Sequence, residues 1–458
     1  MGSPRWKKVW RDVLDHKLRT VLVVVSIAVG IAAIGTVTGS YVVINHDLPH
    51  AFAQTNPMHA RFGIAEFDRT LVDAVARTPG VAEAEARDVA TLQVQTAPEH
   101  WRTLRLNRIG DFDQMRIGTV RLVDGAWPVG KYELLVERSS LPLLNASLGD
   151  QVLVETGDGN QRRLRIAGVV HDLGVISSGF TGQLYGYVPT ETWEWLGYRT
   201  AFGRLLVTVS AQGEDKQHIL AVAEAIRKKV ERAGYTVFWS FVPEPGKHEF
   251  EQYLTPMLLI FGVIGLLSLL LSCFLVVNII AAILAQQVRQ IGVMKTVGAR
   301  NRQIVSMYLT TTLIYSALGL LVAVPLGWLG ARANTSFIAG LMNFDVVSYA
   351  VPPQVLALEA AVGLLTPPAA ALFPILRGTR ITVREALGDF GLTRRTAGGW
   401  IDRRLDHVRG LSRPLLLALR NTFRRKGRLF LTLLTLTLAS AIFIAVFSVR
   451  ASLLRTLE

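Results

Sequence analysis

With a single cysteine, Cys273, in 458 residues, this chain has no means of building a disulfide framework or a cysteine-based zinc site. It also lacks a G-x-x-x-x-G-K-[ST] loop, so it does not itself cradle nucleotide phosphates. H-E-x-x-H, G-x-S-x-G and closely spaced Cys/His ligand pairs are absent. The nine histidines are scattered, and His171-Asp172 reads as a polar pair at a strand end. No catalytic residues, cofactor or metal are expected. Charge is missing over long stretches too: Val21–Ile44, Pro256–Leu284 and Gln303–Ala331 hold 24, 29 and 29 residues without one. Each exceeds the roughly 20 residues that cross a bilayer as a helix. The first is too long for a signal-peptide core and is followed by no small-residue cleavage site, so it reads as a retained span.

Half of the residues are hydrophobic and mean hydropathy is +0.34, which for this length implies several spans. The net charge of +14 raises nucleic acid as a partner, but its distribution excludes that reading. Residues 46–253 hold 22 Lys+Arg and 26 Asp+Glu, a balance of −4, leaving 27 − 9 = +18 for the remainder. The positive excess lies beside apolar spans, where retention inside the cell and contact with anionic lipid account for it.

Residues 1–19 read as an amphipathic helix on the inner surface, with Trp6, Val9, Trp10, Val13 and Leu14 on one face. Residues 20–45 form the first span. The segment 46–253 then makes one exported region: helix, Pro79-Gly80 turn and strand at its start; strand (Gly203–Ser210), helix (Glu214–Ala233) and strand (Tyr235–Ser240) at its end. Between them, 111–199 is β-rich, with a hairpin over Gln151–Val170. Phe250, Tyr253, Leu254 and Met257 stand at i, i+3, i+4 and i+7, so the second span, 256–284, is expected to continue outward as a stalk helix.

Between the second span and the third, 303–331, lies a loop of 285–302 that carries Arg289, Lys295, Arg300 and Arg302 and no acid, as an inner loop should. Val288, Ile291, Met294 and Val297 recur every third residue, and Gly298 stands where a helix would end. The third span carries Gly319, Ala323, Gly327 and Ala331 at four-residue intervals, a ladder suited to close helix packing; Gly35 and Gly39 offer a shorter one in the first span. A fourth span, 346–376, contains Glu359, placed in its outer half, where it either serves a function or reaches the interface. Residues 377–428, with 14 Lys+Arg against four acids, form a basic inner linker. Leu429–Val449 makes a fifth uncharged span.

RQIGVMKTVGAR, Arg289–Arg300, resembles the "E-I-G-hydrophobic-x-K/R-A-hydrophobic-G-A" signature of FtsX-like, MacB-type ABC transporter permeases of the type VII, mechanotransmission class. Gln290 replaces the family's Glu and Thr296 its Ala. LPLLNASLGDQVLV (Leu141–Val154), RIAGVVHD (Arg165–Asp172) and PILRGTRITVREAL (Pro374–Leu387) are similar to further stretches of that family, with Val383 in place of its usual Pro.

The resemblance implies an α-helical transmembrane bundle of four spans plus a fifth. A large α/β extracytoplasmic domain is inserted between spans 1 and 2, porter-like at 46–110 and 200–250 and sabre-like at 111–199. It implies that Arg289, Gln290, Ile291, Gly292, Val293, Met294, Lys295, Gly298 and Ala299 form the coupling helix on which a dimeric ATPase subunit docks. ATP would be bound by that partner and not by this chain. A second permease copy or half, membrane lipid and an extracytoplasmic cargo-binding protein are the other implied partners. The N-terminus lies in the cytoplasm of a bacterium and the chain in its inner membrane, exporting or extracting lipoprotein, lipid, hydrophobic compound or peptide. Placing residue n beside n + 409 aligns Arg11, Lys17 and Arg19 with Arg420, Lys426 and Arg428, which suggests either a fragment or first half of a double-module member or a four-span module with one added helix. Two other classes stay open: a regulator of a cell-wall hydrolase, and a passive receptor without ATPase.

Overall fold

A computed structural model describes residues 4–110, 112–113, 115–248, 251–387 and 426–457. The chain divides into two compact units, a helical one (chiefly Met1–Val42, Met257–Asn334 and Ala350–Arg455) and a mixed one (chiefly Val43–Pro256 and Thr335–Tyr349).

Among the described residues, the helical unit is built on α1 (Pro4–Asp15) and four helices long and apolar enough to cross a membrane. In the chain order of the whole protein the long helices are α2 (Lys17–Ala53), α8 (Glu251–Gln286), α10 (Asn301–Met342) and α11 (Pro353–Thr379). The protein is a multi-pass membrane protein. The helix Lys426–Leu457 runs through the expected fifth span, though its described apolar stretch is only Leu436–Ala445. Most of the basic linker, residues 388–425, lies outside the described residues.

Small residues set the contact between α2 and α10. The two glycine ladders face each other: a Cβ on Gly319 would lie 2.7 Å from Ile27 Cγ2, and one on Gly39 would lie 2.9 Å from Ala331 Cβ. Ala323 between them is fully buried. Such closeness exposes backbone carbonyls to the neighbouring helix, and Ser40 Oγ donates to Ala331 O at 3.2 Å. α8 joins the same bundle through Ser272, whose Oγ donates to Ser26 O at 2.7 Å.

Glu359 of α11 does not reach an interface. It is 2% exposed, and its carboxyl occupies the notch left by Gly35 and Gly327, where a Cβ would stand 1.4 and 2.7 Å from Oε1. Gly35→Ala therefore overpacks the bundle, at a cost of about 1–3 kcal/mol. Thermal unfolding in detergent should show that loss, and Glu359→Ala in the same chain should recover much of it, because neighbours in contact are not additive. Equal losses with and without Glu359 would mean that the carboxyl is not what fills the notch.

The mixed unit contains, in order, β1 (Ala60–Phe67), α3 (Arg69–Ala76), β2 (Val81–Ala97), β3 (His100–Ile109), β4 (Arg121–Gly125), β5 (Glu133–Glu137), α4 (Leu141–Leu144), β6 (Gln151–Glu155) and β7 (Gln161–His171). There follow α5 (Ser178–Thr181), β8 (Leu184–Pro189), α6 (Thr190–Trp195), β9 (Phe202–Val209), α7 (Lys216–Arg232) and β10 (Val237–Phe241). The strand order is β10-β1-β9-β2-β3-β8-β5-β7-β4, with β6 bridging β2 and β7. The ring β2-β3-β8-β5-β7-β6 thus closes on itself, which removes exposed strand edges there. Leu92, Leu104, Leu134, Val154 and Ile166 fill it. Outside the ring, α3 and α7 pack Leu71, Val75, Ile219 and Ile226 against Phe62, Leu205 and Val207 of β1 and β9.

Phe67 ends β1, and Asp68 caps α3 by accepting from the Thr70 N–H at 3.1 Å. β2 is one continuous strand whose first half pairs with β9 and whose second half, from Asp88, pairs with β3 in the ring.

Candidate functional site

The loop after α8 is helical. Gln287 breaks the helix, and α9 (Val288–Thr296) turns off it. Gly298 at φ +96° ends α9, and the N–H groups of Gly298 and Ala299 donate to the carbonyls of Lys295 and Met294 at 3.0 and 2.9 Å. That positive φ is costly for any residue with a Cβ. Ile291 and Gly292 are buried in the bundle and Met294 packs beside them. Arg289, Gln290 and Thr296 face out.

The apolar residues of α9 do not all turn inward. Val293 is 49% and Val297 85% exposed. They line a shallow cleft of about 520 Å³ together with Lys8, Gly298, Gln303 and Met307. The expected stripe therefore splits: Ile291 and Met294 seat the helix, and Val297 with Val293 remains uncovered. Gly292, next to Ile291, is buried as well.

Two polar residues anchor α9, neither of them evident from hydropathy. Gln287, 7% exposed, accepts at Oε1 from Tyr308 OH at 2.6 Å and donates at Nε2 to Asp12 Oδ2 at 3.5 Å, tying the bend to α10 and α1. Lys295 Nζ donates to the carbonyls of Thr379 and Ile381, both at 2.7 Å. These are free carbonyls at the C-terminal end of α11, where a cation is favoured. The short helix α12 (Val383–Leu387) begins without proline because Thr382 and Glu385 cap it reciprocally: the Thr382 N–H donates to Glu385 Oε2 at 3.1 Å, and the Glu385 N–H to Thr382 Oγ1 at 3.3 Å. A T-x-x-E reading would have found it. α1 holds the bundle through buried Val9 and Val13, while Trp6, Trp10 and Leu14 from the same predicted face are exposed.

Gly319, Ala323 and Gly327 are brought together along the contact with α2 described above. The stalk set is only partly visible. Phe250 lies outside the described residues; α8 starts at Glu251 and continues through Pro256, with Met257 half-buried.

In the mixed unit, His171 and Asp172 are not isolated. The loop after α10 delivers Asn343, buried and at φ +58°. Its Nδ2 donates to Glu137 Oε1 at 2.7 Å and Asp172 O at 2.9 Å, and its Oδ1 accepts from Arg138 Nε at 3.1 Å. His171 Nε2 meets Asn343 O at 2.6 Å, as a donor. Asp345 bridges Arg138 and Arg121 at 2.6 and 2.9 Å. Burial pushes His171 below the ordinary histidine range; the Asn343 carbonyl pulls it up, Arg138 pushes it down, and Asp345 and Glu137 pull it up. The unfolded chain then binds the extra proton, so this contribution to stability is complete above about pH 6.5 and is lost as pH falls below that. The melting temperature should fall between pH 7 and 5.5 by more in the native chain than in His171→Gln; equal falls would place the sensitivity elsewhere.

Residues 262–383 match the family model FtsX-like permease C-terminal. The macrolide export ATP-binding/permease protein MacB of Bordetella avium (strain 197N) is 25% identical over 353 residues, covering 70% of this chain and 51% of that protein. MacB of Burkholderia cenocepacia (strain HI2424) is 23% identical over 352 residues, covering 71% and 50%. The chain spans about half the length of the curated relatives it matches. Among solved structures, the extracellular domain of the noncanonic ABC-type transporter YknZ from Gram-positive bacteria aligns at TM-score 0.29 and 15% identity, over 40% of this chain and 100% of that one. The periplasmic region of MacB from Actinobacillus actinomycetemcomitans aligns at TM-score 0.29 and 12% identity, over 44% and 93%.

Proposed function

We propose that this chain, an FtsX-like permease and a relative of MacB-type ABC transporter permeases, transmits the motion of a separate, dimeric ABC ATPase to a domain on the far side of the membrane. The observation that carries the reading is α9: a helix anchored at both ends, with one apolar face seated in the bundle and Val293 and Val297 left uncovered. An uncovered apolar pair on a rigid element is what a docking partner needs. Displacing α9 would pull on Gln287 and so on α8, which is a single helix from Gln286 back to Glu251. Its outer end then acts as the stalk, through Phe250, Tyr253, Leu254 and Met257.

In this reading the N-terminus, α9 and the basic linker are cytoplasmic, and residues 46–253 work outside a bacterial inner membrane. Two permease copies, or this half and a second half, would move together, and cargo is handled by the outer domains: lipoprotein, lipid, hydrophobic compound or peptide, with or without a separate binding protein. No polar path through the bilayer is needed, which fits the uncharged first three spans.

Co-purification tests the partner. The solubilised chain should bring down an ATP-binding subunit, and a chain that never does so is a passive receptor instead; a cell-wall hydrolase pulled down by residues 46–253 would favour the regulator. Labelling tests the sidedness: modification of Lys295 by an impermeant reagent on sealed cells would reverse the assigned orientation.

A further inference from the structure

The mixed unit has a second face that the transmission role does not use. α3 and α7 cover the side of the sheet to which Phe62, Leu205 and Val207 point. Alternation along the strands sends Arg61 of β1, Arg204 of β9 and Arg87 of β2 to the opposite side, and β3 adds Arg105. Arg204 stands directly across from Arg87 in the ladder between β9 and β2. All four arginines line one cavity of about 250 Å³, whose remaining wall includes the apolar side chains of Met58 and Ile176.

Arg61 is engaged elsewhere, its guanidinium lying 5.8 and 5.3 Å from the ring centres of Trp239 and Phe241. Arg87 is held by Glu85 at 2.9 Å and by the carbonyls of Ile117 and Gly118. Asp172, the acid that lines the cavity, already accepts from the Tyr187 hydroxyl and from the Gly174 N–H. Arg105 and Arg204 make no side-chain hydrogen bond or ion pair among the described residues. Arg204 is held below the ordinary arginine range, first by burial and then by the like charges of Arg105 and Arg61, with Asp88 pulling the other way. Packing guanidinium groups together in a partly desolvated site is unfavourable unless an anion joins them.

We propose that this cavity binds a phosphate-class oxyanion, gripped by Arg105 and Arg204 with Arg61 and Arg87 at its sides. Guanidinium forks match a tetrahedral oxyanion by paired N–H···O bonds, which a set of ammonium groups would not do as specifically. The volume sits just below that of ordinary small-molecule pockets, so it suits a headgroup-sized ligand, and Met58 and Ile176 offer contact to a short apolar portion. A free phosphate and a phospholipid headgroup present the same chemistry.

The test uses the full chain in neutral detergent at low ionic strength, without any ATPase, so its failure is separate from failure of the coupling reading. Equilibrium dialysis with radiolabelled orthophosphate and with dihexanoyl phosphatidic acid should give saturable binding, weakened at least about tenfold in Arg105→Gln/Arg204→Gln. Similar affinity for both probes identifies a site for the free anion; phosphatidic acid at least about tenfold tighter identifies a lipid headgroup site. The Arg105→Lys/Arg204→Lys chain keeps the charge and loses the fork, so its affinity should fall between the two. Absence of saturable binding of either probe overturns the proposal, as does unchanged binding in the Gln variant or, should that variant fail to fold, in the folded Lys variant.

Discussion

Aspartate at both Val293 and Val297 is expected to lower the ATPase rate of the reconstituted complex at least about tenfold, while insertion and the fold of the chain are unchanged. Both side chains project from α9 into the cleft shared with Lys8 and Met307. Neither supports the bundle. Burying an unpaired carboxylate under a docked subunit costs several kcal/mol, and each 1.4 kcal/mol is a factor of ten in affinity. The readout is stimulated ATP hydrolysis and co-purification, with protease accessibility as the check on insertion. Gly292→Glu is the contrasting case. Gly292 is buried on the seated side, so a charge there should unseat α9 and reduce folded protein, not only coupling. Normal coupling in the Val293/Val297 variant would remove this cleft from the contact.

Arg108→Ala is expected to destabilise the mixed unit by about 3–5 kcal/mol, because it leaves a buried partner uncompensated. Arg108 is 2% and Asp88 9% exposed. Arg108 NH1 lies 3.2 Å from Asp88 Oδ2 and donates to Thr200 O at 2.7 Å, and its guanidinium stacks 4.1 Å from the Phe202 ring centre. Asp88 Oδ1 accepts from the Gly203 N–H at 2.7 Å. Burial raises the Asp88 carboxyl above its ordinary range, outweighing the pull of the Gly203 N–H and of Arg108; burial lowers Arg108 despite Asp88. Desolvation therefore wins at both ends, and the pair holds β2, β3 and β9 in one arrangement without being a net source of stability. Replacing both residues, as Asp88→Leu/Arg108→Met, should cost much less than Arg108→Ala alone. Hydrogen exchange in β2, β3 and β9 would read the difference, and equal exchange in the single and double variants would refute the account.

The residues that declared themselves early were those whose signal is local. Uncharged runs marked the long helices because a bilayer demands length and apolarity from each helix separately. Gly298 marked the end of α9 because only the backbone conformation at that residue is involved. The stretch from Arg289 to Ala299 carried a family resemblance in its own order of residues. β1 was less legible, since Phe67 falls equally well on a helical or a strand pattern until its partners β9 and β10 are known.

By itself the sequence determined the spans, the mixed α/β segment between the first two, the basic stretch beside them and the helix between the second and third. All of these depend on composition and short-range periodicity. Only the tertiary structure decided that Glu359 fills a notch between two glycines from other helices, that Lys295 caps the end of α11, and that Gly292 faces inward while Val297 does not. The same holds for the four arginines around one cavity, which come from four different strands. Such juxtapositions join residues tens to hundreds of positions apart, and no pattern along the chain records which of its faces will meet.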